Sequence, residues 1–152
     1  MTSSTVSGGS HIERYDGRAL HVGEVVAAVS YPVTLANLVM YAGASGDFNP
    51  IHWNERSAVA AGLPSVIAHG MFTMAQAGRA VTDWIGDPGA MSEFAVRFSK
   101  PVAVPDDDRG TSIEVEVRVA EVLADGRVRL AIDARSGDAQ VLGNASAVVR
   151  LD

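Results

Sequence analysis

Residues 70–85, with the sequence GMFTMAQAGRAVTDWI, decide how the rest of the chain is interpreted. Apolar or small residues lie on most sides of a helix drawn through this stretch, which is typical of a helix that other elements bury. A surface helix would instead show one apolar stripe opposite a polar face. We therefore predict a long helix near the centre of the fold.

The sequence after this helix changes to a period of two. Apolar residues alternate with other residues over 94–98, 113–119 and 128–132, and a last segment runs from about residue 140 to residue 151. Such alternation is typical of half-buried strands. Asp125-Gly126 is a hairpin signal, and Ser136-Gly137-Asp138 introduces the last segment. These features predict an antiparallel meander.

The sequence before the central helix contains a strand and two shorter helices. The stretch GEVVAAVSYP at 23–32 predicts the strand, which ends at a proline. Thr34 is placed to cap a helix that follows it, and Asn54 is placed to cap a short helix that stops at Gly62. Helices in the first half and strands in the second predict an α+β fold, with an antiparallel sheet lying against the central helix.

Length and composition indicate a single domain. The chain has 152 residues and a mass of 15.9 kDa, which leaves little room for a second core. Residues 1–12 are rich in Ser, Thr and Gly, so we predict a flexible N-terminal arm there and one folded domain over residues 13–152.

Charge and cysteine content exclude several classes of function. The net charge of −6 opposes binding to a nucleic-acid backbone, and no basic stripe offsets it. The absence of Cys excludes disulfides, thiolate metal sites and a Cys nucleophile. Because we find neither a secretory signal nor an apolar run of the roughly 20 residues that span a bilayer, we expect a cytoplasmic protein with no membrane contact.

The stretch Asp47-Phe48-Asn49-Pro50-Ile51-His52 carries the residues best suited to chemistry. A carboxylate and an imidazole lie five positions apart across a bend that Pro50 favours, and such a pair can exchange acid and base roles. Asn49 lies between them and can orient either side chain. The alternative is structural: Asp47 caps a turn, Asn49 bonds to the backbone, and His52 is a satisfied buried histidine.

Gly70 is a second candidate because Ala68-His69-Gly70 leads directly into the central helix. The amides at a helix N-terminus have no partner within the helix and stabilise an oxyanion. A purely structural role, in which Gly70 permits close packing, is the alternative. For the neighbouring His69, a packing role is favoured over positioning of the loop.

The stretch from Tyr41 to Ala58 resembles the signature of the MaoC-like, or hydratase 2, family. The signature consists of Gly-Asp, one free residue, Asn-Pro, an aliphatic residue, His and a small residue further on. Ala68-His69-Gly70-Met71 resembles the family's second hallmark. The chain matches every element of the signature, at the following positions: Gly46, Asp47, Asn49, Pro50, Ile51, His52 and Ala58. Residues 84–90 and 93–98 are also similar to the catalytic B subunits of mycobacterial β-hydroxyacyl carrier-protein dehydratases, a branch of this family.

The resemblance implies a hot-dog fold and a hydro-lyase of fatty acid or polyketide metabolism. It implies that Asp47 and His52 hold one water, that Asn49 orients them, and that the Gly70 amide binds the thioester oxygen. Neither a metal nor a redox cofactor is expected, because CoA or phosphopantetheine enters as part of the acyl thioester. It also implies a homodimer, or a heterodimer with a related hot-dog chain, whose sheets join edge to edge.

Two alternatives stay open, and a metal site is rejected. A hot-dog thioesterase normally needs a carboxylate on or near the central helix, which has none before Asp83. A non-catalytic or partner-dependent acyl-binding subunit is the stronger rival, although retention of Asp47, Asn49 and His52 favours an active chain. The spacing of the histidines does not predict a close pair that faces a third ligand. The histidines are His11, His21, His52 and His69.

Overall fold

The computed structural model of the protein describes residues 10–151. Its elements follow the predicted order, because the three helices precede four of the six strands. In chain order the elements are β1 (His11–Ile12), β2 (Val25–Val33), α1 (Leu35–Ser45), a 3-10 turn (Pro50–His52), α2 (Glu55–Ala60), α3 (Gly70–Ile85), a second 3-10 turn (Pro88–Ala90), β3 (Met91–Phe98), β4 (Thr111–Val122), β5 (Val128–Ser136) and β6 (Ala139–Val149).

The strands form one six-stranded sheet in the order β1-β2-β4-β5-β6-β3. Every neighbouring pair is antiparallel. The predicted meander is confirmed for β4, β5 and β6, but the prediction also included β3, which is wrong because β3 pairs with β6 and not with β4. β3 is therefore an edge strand, and its second edge has no partner among the described residues.

The core lies between this sheet and α3. The helix packs against β2, β3, β4 and β6, and its apolar residues Phe72, Val81 and Trp84 are buried. Alternate residues of β4, such as Val115 and Val117, are buried on the facing side. Each such side chain contributes about 1.5–3 kcal/mol on burial. One long helix against an antiparallel sheet is the expected hot-dog arrangement, so this prediction is confirmed.

One further detail of the prediction is wrong. The arm was predicted over residues 1–12, and residues 1–9 lie outside the described residues. His11 and Ile12, however, pair with Ala28 and Ala27 at the edge of the sheet. Main-chain pairing to an edge strand depends little on side-chain type, so the Ser- and Gly-rich composition could not reveal it.

The central helix is buried on most sides, as predicted, and contributes seven buried residues to the core. One stripe of α3 is exposed in the single chain, and it includes Met71, which is 57% exposed. The other exposed members recur four residues apart, at Ala75, Arg79 and Asp83.

In residues 10–151 no helix is long and apolar enough to cross a membrane.

Candidate active site

The loop that carries Asp47 begins where α1 ends. Gly46 is in the left-handed conformation with φ of 76°, which turns the chain sharply out of the helix. Asp47 Oδ1 then accepts a hydrogen bond from the Asn49 amide at 3.2 Å, and Asn49 Oδ1 accepts one from the Ile51 amide at 3.3 Å. The turn contacts expected from the structural alternative are therefore present. They use Oδ1 of Asp47 and leave its Oδ2 facing His52.

His52 lies at the end of this turn and is 7% exposed. Its Nδ1 is 2.7 Å from the carbonyl oxygen of Ile67. Because a carbonyl can only accept, Nδ1 carries the proton, and Nε2 of the neutral ring presents a lone pair. The amide of Ile67 donates to the carbonyl of Ile51 at 3.2 Å, so the residue that fixes the ring is itself tied to the same turn.

The two side chains face each other across a gap of molecular size. Asp47 Oδ2 lies 3.9 Å from His52 Nε2, which is too long for a direct hydrogen bond. One oxygen placed about 2.8 Å from each atom would bridge them at an angle of roughly 90°. The geometry suits a water molecule or a substrate hydroxyl held between a carboxylate and a basic nitrogen.

Gly70 contributes the N-terminal amide of α3. No side chain caps this helix, and the first amide that bonds back within it is that of Thr73, which donates to the His69 carbonyl at 3.1 Å. The Gly70 amide thus has no partner within the helix, where the helix dipole favours negative charge.

His52 and Gly70 line the same cavity, which has a volume of about 280 Å³. Most of its walls are apolar, and Lys100 is the permanently charged residue that contributes to them. Asp47 is not part of the lining, and its side chain is 52% exposed. The remaining lining residues are Ile67, Ala68, Thr73, Phe98, Ser99, Pro101, Val102 and Val141.

His69 is closer to the catalytic candidates than the sequence indicated. Its Nε2 lies 3.1 Å from the carbonyl oxygen of Asp47, and its ring stacks on that of His52 with centroids 3.9 Å apart. One potential ligand atom from each of Asp47, His52 and His69 lies within 4.8 Å of the others. The prediction that no close histidine pair meets a third such group is therefore wrong. That no metal is required stays a prediction.

The sequence identified the side chains of this site but missed the contacts that fix them. Asp47 faces His52, and His52 shares a cavity with Gly70, whereas the side chain of Asn49 bonds within the turn rather than to either catalytic candidate. The catalytic roles of these residues stay predictions. The Ile67 carbonyl had no signal in the sequence, because every residue carries one. For His69 the adjacent family hallmark was the available signal.

The chain resembles known proteins over most of its length. A family model described as MaoC like domain matches residues 19–134. The 3-hydroxybutyryl-CoA dehydratase of Methylorubrum extorquens is 31% identical over 118 residues, which cover 76% of this chain and 72% of that protein. The 3-hydroxyacyl-thioester dehydratase X of Mycobacterium tuberculosis is 42% identical over 73 residues, covering 48% of this chain. The chain spans 25% of the length of this second relative.

A solved structure supports the same relationship. The (R)-hydratase from A. caviae involved in PHA biosynthesis superposes with a TM-score of 0.77 at 25% identity. The match covers 89% of this chain and 99% of that one. The fold is therefore shared over nearly the whole of the solved chain.

Proposed function

The chain belongs to the MaoC-like domain family, and from this membership we propose that it catalyses the reversible hydration of trans-2-enoyl thioesters to (R)-3-hydroxyacyl thioesters. The observation that carries the proposal is the 3.9 Å gap between Asp47 Oδ2 and His52 Nε2, beside a cavity that also contains Gly70. Relatives that are named hydratases or dehydratases support the same chemistry.

The Gly70 amide is proposed to bind the thioester carbonyl oxygen. Removal of a proton from C2 places negative charge on that oxygen, and an unpaired amide at a helix N-terminus stabilises it. Gly70 is exposed in the single chain, and an acyl chain bound against the apolar walls around it would strengthen the interaction by excluding water. The acyl chain and the pantetheine arm then occupy the cavity and its opening.

His52 is proposed to move the C2 proton. In dehydration its Nε2 takes the proton from C2, and the electron pair of that C–H bond becomes the new C2–C3 π bond. The C3–O bond breaks, and the departing oxygen receives the same proton from His52, so that water leaves and the imidazole is neutral again. Asp47 holds the 3-hydroxyl through Oδ2 and stabilises the transient positive charge on the ring, 3.9 Å away.

This chemistry needs no resident cofactor in the proposal. CoA or a carrier-protein phosphopantetheine group is part of the substrate, and the carbonyl is polarised by the Gly70 amide. The thioesterase alternative finds less support. Asp83, the carboxylate on α3, lies in the last turn of the helix, is about half exposed and pairs with Arg79 at 3.4 Å.

A dimer is proposed on the exposed surfaces of the single chain. The free edge of β3 offers main-chain groups for pairing with a second sheet. Large apolar side chains close to the site are also exposed, including Phe48 at 63%, Trp53 at 46% and Phe98 at 53%. A second copy, or a related hot-dog chain, would cover them.

The proposal is tested with purified protein, crotonyl-CoA and a longer 2-enoyl-CoA. We expect wild type to hydrate at least one of them, and Asp47→Asn and His52→Gln to lose most of this activity. The exposed residues Asp138 and His21 provide matched controls, and Asp138→Asn and His21→Gln should retain the wild-type rate. Full activity in both site variants would contradict the proposal.

A further inference from the structure

His69 makes contact with both members of the proposed acid and base pair. It is 2% exposed, and its Nε2 lies 3.1 Å from the main-chain carbonyl oxygen of Asp47. Since the carbonyl must accept, Nε2 carries the ring proton and donates it. The other ring nitrogen, Nδ1, is buried and has no hydrogen-bond partner among the described residues.

The ring of His69 also makes two aromatic contacts. It stacks on His52 with centroids 3.9 Å apart and an interplanar angle of 23°. On another side the ring of Tyr41 meets it edge-on, with centroids 4.8 Å apart. Two aromatic contacts and one hydrogen bond therefore fix the ring plane of His69. The same ring contacts both the Asp47 carbonyl and the His52 ring, so its orientation affects the position of both residues.

We propose that His69 is a positioning residue that stays neutral, donates its Nε2–H to the Asp47 main-chain carbonyl and stacks against one face of the His52 ring. This inference rests on the proposed function. His69 would thereby hold the 3.9 Å separation between Asp47 Oδ2 and His52 Nε2. One member is anchored through its carbonyl, and the other through its ring face. His69 itself is not required to touch the substrate.

The surroundings of His69 favour the neutral form. Burial is the main cause that lowers the pKa of His69, and a charge on the nearby His52 acts in the same direction. The Asp47 groups act in the opposite direction, and Tyr41 is the other titratable group in contact. A neutral ring has a useful consequence, because an aromatic face stabilises a cation stacked on it whereas a second imidazolium would repel it.

Two substitutions separate the two contacts. His69→Phe keeps an aromatic ring beneath His52 but removes the donor to Asp47. His69→Gln keeps an amide donor that can reach the Asp47 carbonyl but removes the ring. The exposed His21→Gln is the matched control, and its kinetics should equal those of wild type.

The readouts are kcat, KM and the pH profile of kcat for enoyl-CoA hydration, with thermal unfolding to confirm that each variant is folded. We expect His69→Phe to lower kcat about tenfold with little change in KM, as the loss of one orienting hydrogen bond predicts. In His69→Gln we expect the acid limb of the profile to move to lower pH, because the positive charge that His52 carries during turnover loses its stacked ring.

A spectroscopic measurement does not depend on turnover. In nitrogen-15 spectra of histidine-labelled wild type, His69 should still be the neutral Nε2–H tautomer when the pH falls through about 6.5, where an ordinary histidine takes up its proton. A His69 that titrates normally, or a folded His69→Phe with wild-type kcat and an unchanged profile in His69→Gln, would overturn the inference. An inactive wild type would instead overturn the proposed function, and the spectra would still decide the state of His69.

Discussion

Replacement of Asp47 by Asn removes one negative charge and very little else. The side-chain oxygen of Asn can still accept the hydrogen bond that Oδ1 of Asp47 receives from the Asn49 amide at 3.2 Å. The main-chain carbonyl that His69 contacts is also retained. The variant should therefore fold like wild type, and a change in its rate reports on the charge that faces His52.

The size of the effect follows from the 3.9 Å separation between Asp47 Oδ2 and His52 Nε2. Unit charges at this distance attract each other by about 1 kcal/mol in water and about 4 kcal/mol at an effective dielectric constant of about 20. The Asp47 side chain is 52% exposed and the His52 side chain 9%, so the true value lies between these limits. If His52 becomes positive in the transition state, kcat falls by about fivefold to about a thousandfold.

The assay is a double-mutant cycle on the hydration of crotonyl-CoA, with Asp47→Asn, His52→Gln and the double variant. Because Gln at position 52 cannot become positive, Asp47→Asn should cost much less in that background than in wild type. The reasoning is refuted if Asp47→Asn leaves kcat within about twofold of wild type, a change too small to reflect even the attraction expected in water, or if it costs the same in both backgrounds.

Three further predictions use matched positions. Gly70→Ala and Gly78→Ala would each bring a Cβ close to a phenylalanine ring of β3, at 3.2 and 3.1 Å, so the two variants should have a similar Tm. Of these two glycines only Gly70 lines the cavity, so only Gly70→Ala should lower kcat/KM. Gly46→Ala forces a residue with a side chain into φ of 76°, so it should lower the free energy of unfolding by about 1 kcal/mol and also lower kcat. Gly43→Ala, inside α1 and with open space around it, should raise the free energy of unfolding by a similar amount. Equal urea midpoints for the two variants would contradict this. The pKa of His69 is lowered in the folded state, so on acidification the unfolded chain binds the extra proton first. The free energy of unfolding should therefore fall as the pH drops below about 6.5, by at most about 1.4 kcal/mol per pH unit, and level off below the folded pKa. Urea unfolding of wild type and of His69→Phe checks the sign, and a wild type that gains stability on acidification relative to the variant would contradict it.

The secondary structure was predictable where local signals were strong. The central helix was expected over residues 70–85 and is observed at Gly70–Ile85, since Gly86 ends it in a left-handed conformation with φ of 77°. The caps at Thr34 and Asn54 were also read correctly, because each side chain accepts a hydrogen bond from an amide three residues ahead. Such signals lie within a few residues of the structure that they specify.

Long-range features were not predictable in the same way. The return of β3 to the far side of β6, and the exposed stripe on α3 that includes Met71, depend on which surfaces meet in the folded chain. At the site, the family signature pointed to Asp47 and His52, yet it could not show that the Ile67 carbonyl sets the His52 tautomer. Main-chain acceptors are the same at every residue and carry no signature.

The most direct test of the central claim is the identity of the product that purified protein makes from crotonyl-CoA. Mass spectrometry with chiral separation distinguishes the addition of water from cleavage of the thioester. We expect wild type to form (R)-3-hydroxybutyryl-CoA with no release of CoA, and the folded Asp47→Asn/His52→Gln double variant to form almost none. Release of free CoA and crotonate, or equal hydration by wild type and the double variant, would contradict the account.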